Sequence, residues 1–255
     1  MTKVSDIFQI IDAAAPFSSC ESFDNVGVLI GDPEREVSRC LVTLDVTQDT
    51  VQEAVEKNCE LIISHHPIIF HPLRRIPFDS VQGRLLQKEI TVLSAHTNFD
   101  KAPEGLNRTL GRLLGMELTP LPNDSCAGIA EISPMDFETL LEKVAHTLLL
   151  QGVRYYDAGK TVKKVMICCG GGGSCIHEAI DMGADCLISG DFKHDQVIDA
   201  MNAGVSCIDA GHYETERHFV PLCCNWLSEE VPSVYFLPSE TMRPGFTFRT
   251  FEWKE

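Results

Sequence analysis

The sequence of 255 residues has no apolar run near the ~20 residues that a membrane-spanning helix needs. Asp6 interrupts its first apolar stretch, whereas the core of a secretory leader is continuously apolar. The stretch instead predicts an amphipathic helix that Ser5 caps. We therefore expect an intracellular protein that works in the cytoplasm and does not bind membranes.

Basic residues are scarce. The chain has 21 Lys and Arg against 37 Asp and Glu, which gives a formal net charge of −16 at pH 7. A protein that binds the phosphate backbone of nucleic acids needs a basic surface. The charge balance therefore argues against general nucleic-acid binding, but it leaves room for a small basic pocket that takes a phosphorylated metabolite.

The C-x-x-C spacing is absent, although the chain has eleven cysteines. The number is odd, and several of them lie inside apolar runs, as Cys40 and Cys207 do. Buried reduced thiols explain this pattern better than disulfides or a thiolate metal site.

Short apolar runs alternate with helix-like stretches, which is typical of an α/β protein. Predicted strands lie near residues 40–45, 61–64, 90–94, 126–132, 164–168, 186–189, 205–208, 233–237 and 246–252. Predicted helices lie near residues 48–58, 104–114, 136–149, 175–182, 193–203 and 214–228. A Pro-rich stretch over residues 119–124 marks a boundary between a first half, residues 1–122, and a second half, residues 123–255.

The two halves resemble each other. Residues 60–66 match residues 185–191 in pattern. Downstream, each half has a histidine followed four positions later by an acidic residue: His96 with Asp100, and His212 with Glu216. Chance similarity between apolar strands is the alternative, but the polar endings coincide as well. We predict a duplication that produced two intertwined, internally similar α/β halves with mixed sheets and flanking helices, with functional groups gathered between them.

Histidine and acidic side chains follow several predicted strands, at the edge where ligands bind in parallel α/β sheets. His65 and His66 come directly after one strand, and Asp100 follows the next. His212 and Glu216, at positions i and i+4, share one face of a helix and can bind one ion. Each of these features alone is common on a solvated surface. Their convergence predicts a metal site between the two halves.

The donor set indicates which ions fit. Three imidazoles and two carboxylates without a thiolate suit Zn, Fe, Mn, Co or Ni better than copper(I) or calcium. Five protein ligands exceed the three that a single catalytic zinc usually takes. A bridging carboxylate would explain the surplus, so we predict two divalent ions per chain and hydrolysis by a water bound between them.

A glycine run, Gly170 to Gly173, is followed by Ser174 and lies between a predicted strand and a helix. Such a turn can hold an anion at the helix N-terminus, and Gly171, Gly172 and Ser174 are then candidate substrate-binding residues. A tight turn without a ligand is the alternative. No Lys follows the glycines, so the run is not a P-loop.

Six motifs occur in the order found in the NIF-three-like family, whose members commonly bear the name GTP cyclohydrolase 1 type 2 homologue. They lie at residues 24–31, 64–67, 96–100, 169–174, 189–191 and 211–216. This resemblance covers essentially the whole chain. It implies a two-part α/β fold, a ring-shaped homohexamer and GTP cyclohydrolase-like activity on a nucleotide or related small phosphorylated or heterocyclic substrate. It also implies a dinuclear centre with His65, His66, His212 and Glu216 as ligands and Asp100 as a bridging ligand.

Three further residues are candidates for proton transfer or substrate contact. Asp191 and His194 lie in a segment that resembles the glycine–acid segment of the family. His96 is either a partner of the metal ligands, a substrate contact or an ordinary strand-end histidine. A function of a different class also fits the sequence: a metal-binding scaffold or regulator with little catalytic activity. Metal-dependent turnover separates the two hypotheses.

Overall fold

The computed structural model describes residues 1–122, 125–247 and 249. It has α/β architecture with two mixed sheets and flanking helices, as predicted. The strands are β1 Gly27–Ile30, β2 Arg39–Thr43, β3 Leu61–Ser64, β4 Thr91–Ser94, β5 Thr119–Pro120, β6 Gly128–Met135, β7 Arg154–Tyr156, β8 Val162–Ile167, β9 Cys186–Ser189, β10 Ser206–Asp209 and β11 Tyr235–Pro238. The helices are α1 Val4–Ala14, α2 Gln48–Glu56, α3 Val81–Gln87, α4 Thr97–Lys101, α5 Leu106–Leu113, α6 Phe137–Leu148, α7 Ile176–Asp181, α8 His194–Ala203, α9 His212–Glu216 and α10 Phe219–Glu230.

The chain forms two compact units, and each contains two separate stretches of sequence. The first unit contains residues 1–106 and 217–242, and the second contains residues 107–216 with the described residues from 243 onward. The segment after residue 217 belongs to the first unit because β11 pairs with β2. These boundaries differ from the predicted division after residue 122.

The sheet of the first unit has the strand order β1-β4-β3-β2-β11. Strands β4, β3, β2 and β11 run parallel, and β1 is antiparallel to β4. Every residue of β3 and β4 is buried. Strands covered on both faces need continuous apolar sequence, which explains the run Leu61-Ile62-Ile63.

The sheet of the second unit has the order β5-β6-β8-β9-β10-β7. Strands β8, β9 and β10 are parallel, and β7 is antiparallel to β10. The order β7-β10-β9-β8 thus repeats the order β1-β4-β3-β2. In both units the first strand of this order is antiparallel to its neighbour, β7 to β10 and β1 to β4. The internal similarity predicted from sequence is present in the topology of the two units.

Two predicted helices differ from the observed ones. Helix α1 begins at Val4, so Ser5 lies inside it, and the carboxylate of Asp6 accepts a hydrogen bond from the Lys3 backbone N–H at 2.8 Å. The helix predicted over residues 214–228 is instead divided into α9 and α10. Pro221 explains the break, because proline is tolerated in the first turn of a helix but disrupts its interior.

Only the first of the two predicted closing strands lies wholly within the described residues. The first member corresponds to β11. The second, over residues 246–252, lies partly outside the described residues, and 246, 247 and 249 belong to no strand.

No helix within residues 1–122, 125–247 and 249 has the length and apolar character needed to cross a bilayer. All eleven cysteines are free thiols, and Cys40, Cys186 and Cys207 are buried. Burial raises the pKa of the Cys207 thiol to about 12. A high thiol pKa keeps the reactive thiolate scarce, in agreement with a structural role for such cysteines.

The buried carboxylate of Glu53, on α2 of the first unit, binds the segment that follows β11. Glu53 is 5% exposed and accepts hydrogen bonds from the backbone N–H groups of Glu240 and Thr241 at 2.8 and 3.2 Å. The Lys57 ammonium and the Ser239 hydroxyl donate to it as well, each at 2.7 Å. Burial alone would raise the pKa of Glu53, but these hydrogen bonds outweigh it and lower the pKa to about 2.

We expect the substitution Glu53→Gln to lower the free energy of unfolding by about 1–3 kcal/mol near neutral pH, because buried donors lose a charged acceptor. A lowered pKa in the folded state stabilises the protein above the unfolded-state pKa, near 4.5. The difference between wild type and variant should therefore shrink as pH falls from about 4.5 towards 2. Denaturant titrations across this range measure it. Glu56→Gln, an exposed carboxylate on the same helix, is the control and should show no such loss; equal losses would contradict the assignment.

Candidate metal centre

Two adjacent histidines extend β3 of the first unit. The backbone N–H groups of His65 and His66 donate to the carbonyl oxygens of Thr43 and Leu44 at 3.1 and 3.0 Å. The pairing of β3 with the neighbouring strand β2 therefore continues past Ser64. The Ser64 hydroxyl donates to the His66 carbonyl oxygen at 2.9 Å. The two imidazole centroids lie 5.1 Å apart, so both rings reach one region at the carboxyl end of the sheet.

His96 belongs to the same group of imidazoles. Its ring centroid lies 5.1 Å from that of His65 and 5.6 Å from that of His66. The three residues can each offer a nitrogen within 4.8 Å of the others, an arrangement that can hold a metal ion. Asp100 follows on α4, with Oδ1 3.7 Å from His65 Nε2. Sequence analysis left His96 as a partner of the metal ligands, a substrate contact or an ordinary strand-end histidine, and in the structure it lies beside the predicted ligands His65 and His66.

Asp24 positions His96, and this role was missed from the sequence. The His96 Nδ1 lies 3.0 Å from Asp24 Oδ1, and the Thr97 backbone N–H and hydroxyl both donate to Asp24 Oδ2. Burial of Asp24 favours its neutral form, but the hydrogen bonds with His96 and Thr97 outweigh burial and lower the pKa of Asp24 to about 2. The carboxylate is therefore ionised at neutral pH.

The second unit has its own histidine–carboxylate pair, on α9. His212 Nε2 lies 3.1 Å from Glu216 Oε2, as the i, i+4 spacing predicts. Glu216 is only 2% exposed. Asp191 accepts a hydrogen bond from His212 Nδ1 at 2.7 Å and adopts a left-handed backbone conformation, with φ +56°. This conformation is strained for a residue with a side chain, and such strain is concentrated at functional sites.

The four imidazoles share one feature: each Nδ1 lies within hydrogen-bonding distance of an oxygen that can only accept. The pairs are His65 with the Ala95 carbonyl at 2.9 Å, His66 with Asp45 at 2.8 Å, His96 with Asp24 at 3.0 Å and His212 with Asp191 at 2.7 Å. An acceptor fixes the proton on Nδ1 and therefore the lone pair of the neutral ring on Nε2. Histidines that bind metals are held in this way. The donor set of imidazoles and carboxylates thus fits a divalent transition metal.

The glycine run packs closely against neighbouring side chains, and only part of it faces solvent. Gly170 has φ +66°, and a Cβ atom there would lie 2.0 Å from Glu216 Oε1. Gly172 is buried, and a Cβ atom there would lie 2.4 Å from Cys168 Sγ. Gly171 and Ser174 are exposed, so of the three candidate substrate-binding residues only these two face solvent. Close packing is thus sufficient to explain why glycine occupies positions 170 and 172.

His194 is exposed at the first position of α8, three residues after Asp191. Asp45 lies shortly after β2, and its carboxylate contacts the ring of the candidate ligand His66.

The sequence did contain one signal for the missed residue Asp24, because Asp24 lies in the first of the six motifs. Its contact with His96 spans 72 positions of sequence.

A sequence model of the Duf34/NIF3 (NGG1p interacting factor 3) family matches residues 2–243. The chain belongs to the Duf34/NIF3 family. It is 36% identical over 228 residues to a GTP cyclohydrolase 1 type 2 homolog of Clostridium acetobutylicum, a match that covers 84% of this chain and 85% of the relative. A GTP cyclohydrolase 1 type 2 of Helicobacter pylori is 33% identical over 86% of this chain and 89% of its own length.

Solved structures share the fold. A hypothetical protein of Staphylococcus aureus superposes with a TM-score of 0.87 at 27% identity, covering 97% of this chain and 99% of that protein. A Bacillus cereus protein related to NIF3 superposes with a TM-score of 0.89 at 20% identity, covering 98% and 99%, and supports the fold alone. The family resemblance recognised in the sequence is therefore confirmed.

We expect Gly170→Ala to lower the free energy of unfolding by about 3 kcal/mol or more, because the new methyl group meets the Glu216 carboxylate and the backbone is left-handed. Gly159→Ala is a matched control. Gly159 has φ +69° with nothing within 4 Å of an added Cβ, so it should lose only about 1–2 kcal/mol from backbone strain. Chemical denaturation measures both variants. Equal losses would show that contact with Glu216 does not constrain position 170.

Proposed function

We propose that this chain is a metal-dependent hydrolase with a dinuclear metal centre. The proposed ligands are His65, His66, Asp100, His212 and Glu216, with Asp100 bridging the ions. The observation that carries the proposal is the Nδ1 hydrogen bonding of four imidazoles, each held by an acceptor of its own unit. Nitrogen and oxygen donors stand after structurally equivalent strands of both units, and neither unit alone supplies all five ligands.

Two divalent ions, chosen from Zn, Fe, Mn, Co and Ni, are compatible with these donors. When bound, such ions supply Lewis acidity and lower the pKa of water to the neutral range. The protein's own contribution is orientation: Asp45 holds the His66 ring and Asp191 holds the His212 ring. Asp24, ionised at neutral pH, keeps its hydrogen bond to His96.

The substrate that we propose is a nucleotide or a related small phosphorylated or heterocyclic compound. Support comes from relatives above 30% identity that bear the name GTP cyclohydrolase 1 type 2. GTP is therefore the first compound to test. His194, or else His96, would move protons between solvent and substrate, because imidazole is the side chain most often used for general acid–base catalysis. Asp191 is the third candidate for this role.

The proposal predicts about two metal ions per chain in native protein and metal-dependent turnover within a panel of nucleotides and phosphoesters, with formate release from GTP. Metal analysis and product detection test it. Asp100→Asn should remove metal and turnover together, whereas Glu229→Gln, an exposed carboxylate on α10, should change neither. Metal binding without turnover of any compound would favour the alternative, a scaffold or regulator with little catalytic activity. Protein that binds no metal would overturn the proposal.

Asp191 and Asp45 should act as positioning residues for the metal site. Asp191→Asn and Asp45→Asn should each weaken metal affinity by about 10–100-fold, because the amide can no longer hold the imidazole as a charged acceptor does. Competition titration with a chelating dye measures the affinity without reference to activity. Asp195→Asn, an exposed carboxylate in the first turn of α8, is the control. Unchanged affinity in Asp191→Asn and Asp45→Asn would contradict the positioning role.

We further propose that the chain assembles into a homohexameric ring and works in the cytoplasm, the compartment in which eleven free thiols stay reduced. Light scattering should then give a mass near six times the 28.3 kDa of the chain. A monomer at micromolar concentration would contradict the assembly.

A further inference from the structure

The second unit contains a cavity of about 240 Å³, and of its lining residues only His194 has a part in the proposed function. It lies between the strand pair β7–β10 and the beginning of α8. Its lining includes Arg154, Tyr156, Phe192, His194, Cys207 and Asp209.

The strand register explains how this cavity forms. Arg154 lies opposite Asp209 and Tyr156 opposite Cys207 in the antiparallel β7–β10 pair. Residues two apart on a strand face the same side, so these four side chains stand on one face. Phe192, before α8, closes the other side over the apolar core that contains Cys207. The cavity is therefore a recess at the edge of the core.

The lining combines aromatic walls with a charged pair. Tyr156 and Phe192 are flat apolar surfaces, and Arg154 forms an ion pair with the Asp209 carboxylate. The Asp209 side chain is only 9% exposed. A carboxylate offers about four acceptor positions, so Asp209 can bind Arg154 and still accept hydrogen bonds from a ligand. Few polar groups in an apolar recess are typical of a small-molecule site.

The chain connects this cavity directly to the candidate metal ligands of the same unit. Asp209 ends β10 three residues before His212, and Phe192 follows Asp191, which holds the His212 ring. A molecule in the cavity is thus flanked by both segments that present the histidine.

We propose that this cavity is a recognition subsite for a guanine-type ring. The ring would lie against Tyr156 and Phe192, and its adjacent N1–H and 2-amino groups would donate to the Asp209 carboxylate. Arg154 would donate to the neighbouring ring carbonyl. Aromatic stacking accepts any flat base, whereas the paired donors distinguish guanine from hypoxanthine, which lacks the amino group, and from adenine. The choice of a nucleotide rests on the proposed function; the position and chemistry of the subsite do not.

Calorimetric titration of metal-stripped wild-type protein with guanosine, inosine and adenosine tests the proposal without any variant. Guanosine should bind at least ~10-fold more tightly than inosine, because a hydrogen bond to a charged group is lost with the 2-amino group. Equal affinities for the three nucleosides, or no binding of guanosine, would overturn the subsite.

Two variants locate the binding. Asp209→Asn should weaken guanosine binding to the level of inosine binding. Val197 also lines the cavity, so Val197→Phe, which narrows the cavity and leaves the carboxylate in place, should weaken the binding of all three nucleosides. Asp199→Asn, a partly exposed carboxylate on α8 near His177, should bind guanosine as the wild type does. Unchanged guanosine binding in Asp209→Asn would also refute the subsite. Since these titrations contain no metal, their outcome is independent of whether the dinuclear centre exists.

Discussion

An imidazole presents a defined nitrogen lone pair to a metal only when a hydrogen bond fixes the proton on its other nitrogen. That constraint accounts for the arrangement of the candidate functional residues of this protein. Four rings meet it through oxygens that belong to the same unit as the ring. One acceptor is a backbone carbonyl at the end of β4, and the others are carboxylates in loops beside strand ends. The sheets therefore fix not only where the histidines lie but which atom each presents. Each unit carries its own part of this arrangement.

The residues that sequence reasoning located best are those whose position depends on local pattern. β3 and β9 match their predicted bounds because a strand buried on both faces leaves an uninterrupted apolar run with polar residues at its end. The i, i+4 spacing of His212 and Glu216 likewise places both on one helix face. Both signals lie within a few neighbouring residues and need no tertiary information.

What the sequence did not predict depends on contacts between distant stretches. Asp24 meets His96 across 72 positions, and Arg154 meets Asp209 across 55. Strands β1 and β7, of four and three residues, are too short to show periodicity and are held by pairing with β4 and β10. The break before α10 was visible in principle, because Pro221 stands where a continuous helix would need a backbone donor. The importance of Gly170 depends on a carboxylate 46 positions later, which no local pattern shows.

The two units repeat one strand order, but they differ at an equivalent position where packing allows only glycine in the second unit. Where the first repeat carries His65 after its buried strand, the second carries Gly190. A Cβ atom at position 190 would stand 2.5 Å from the His212 backbone nitrogen. No histidine can return there without displacing the helix that bears His212. Packing at this one position therefore prevents the two units from presenting the same side chain at the end of equivalent strands.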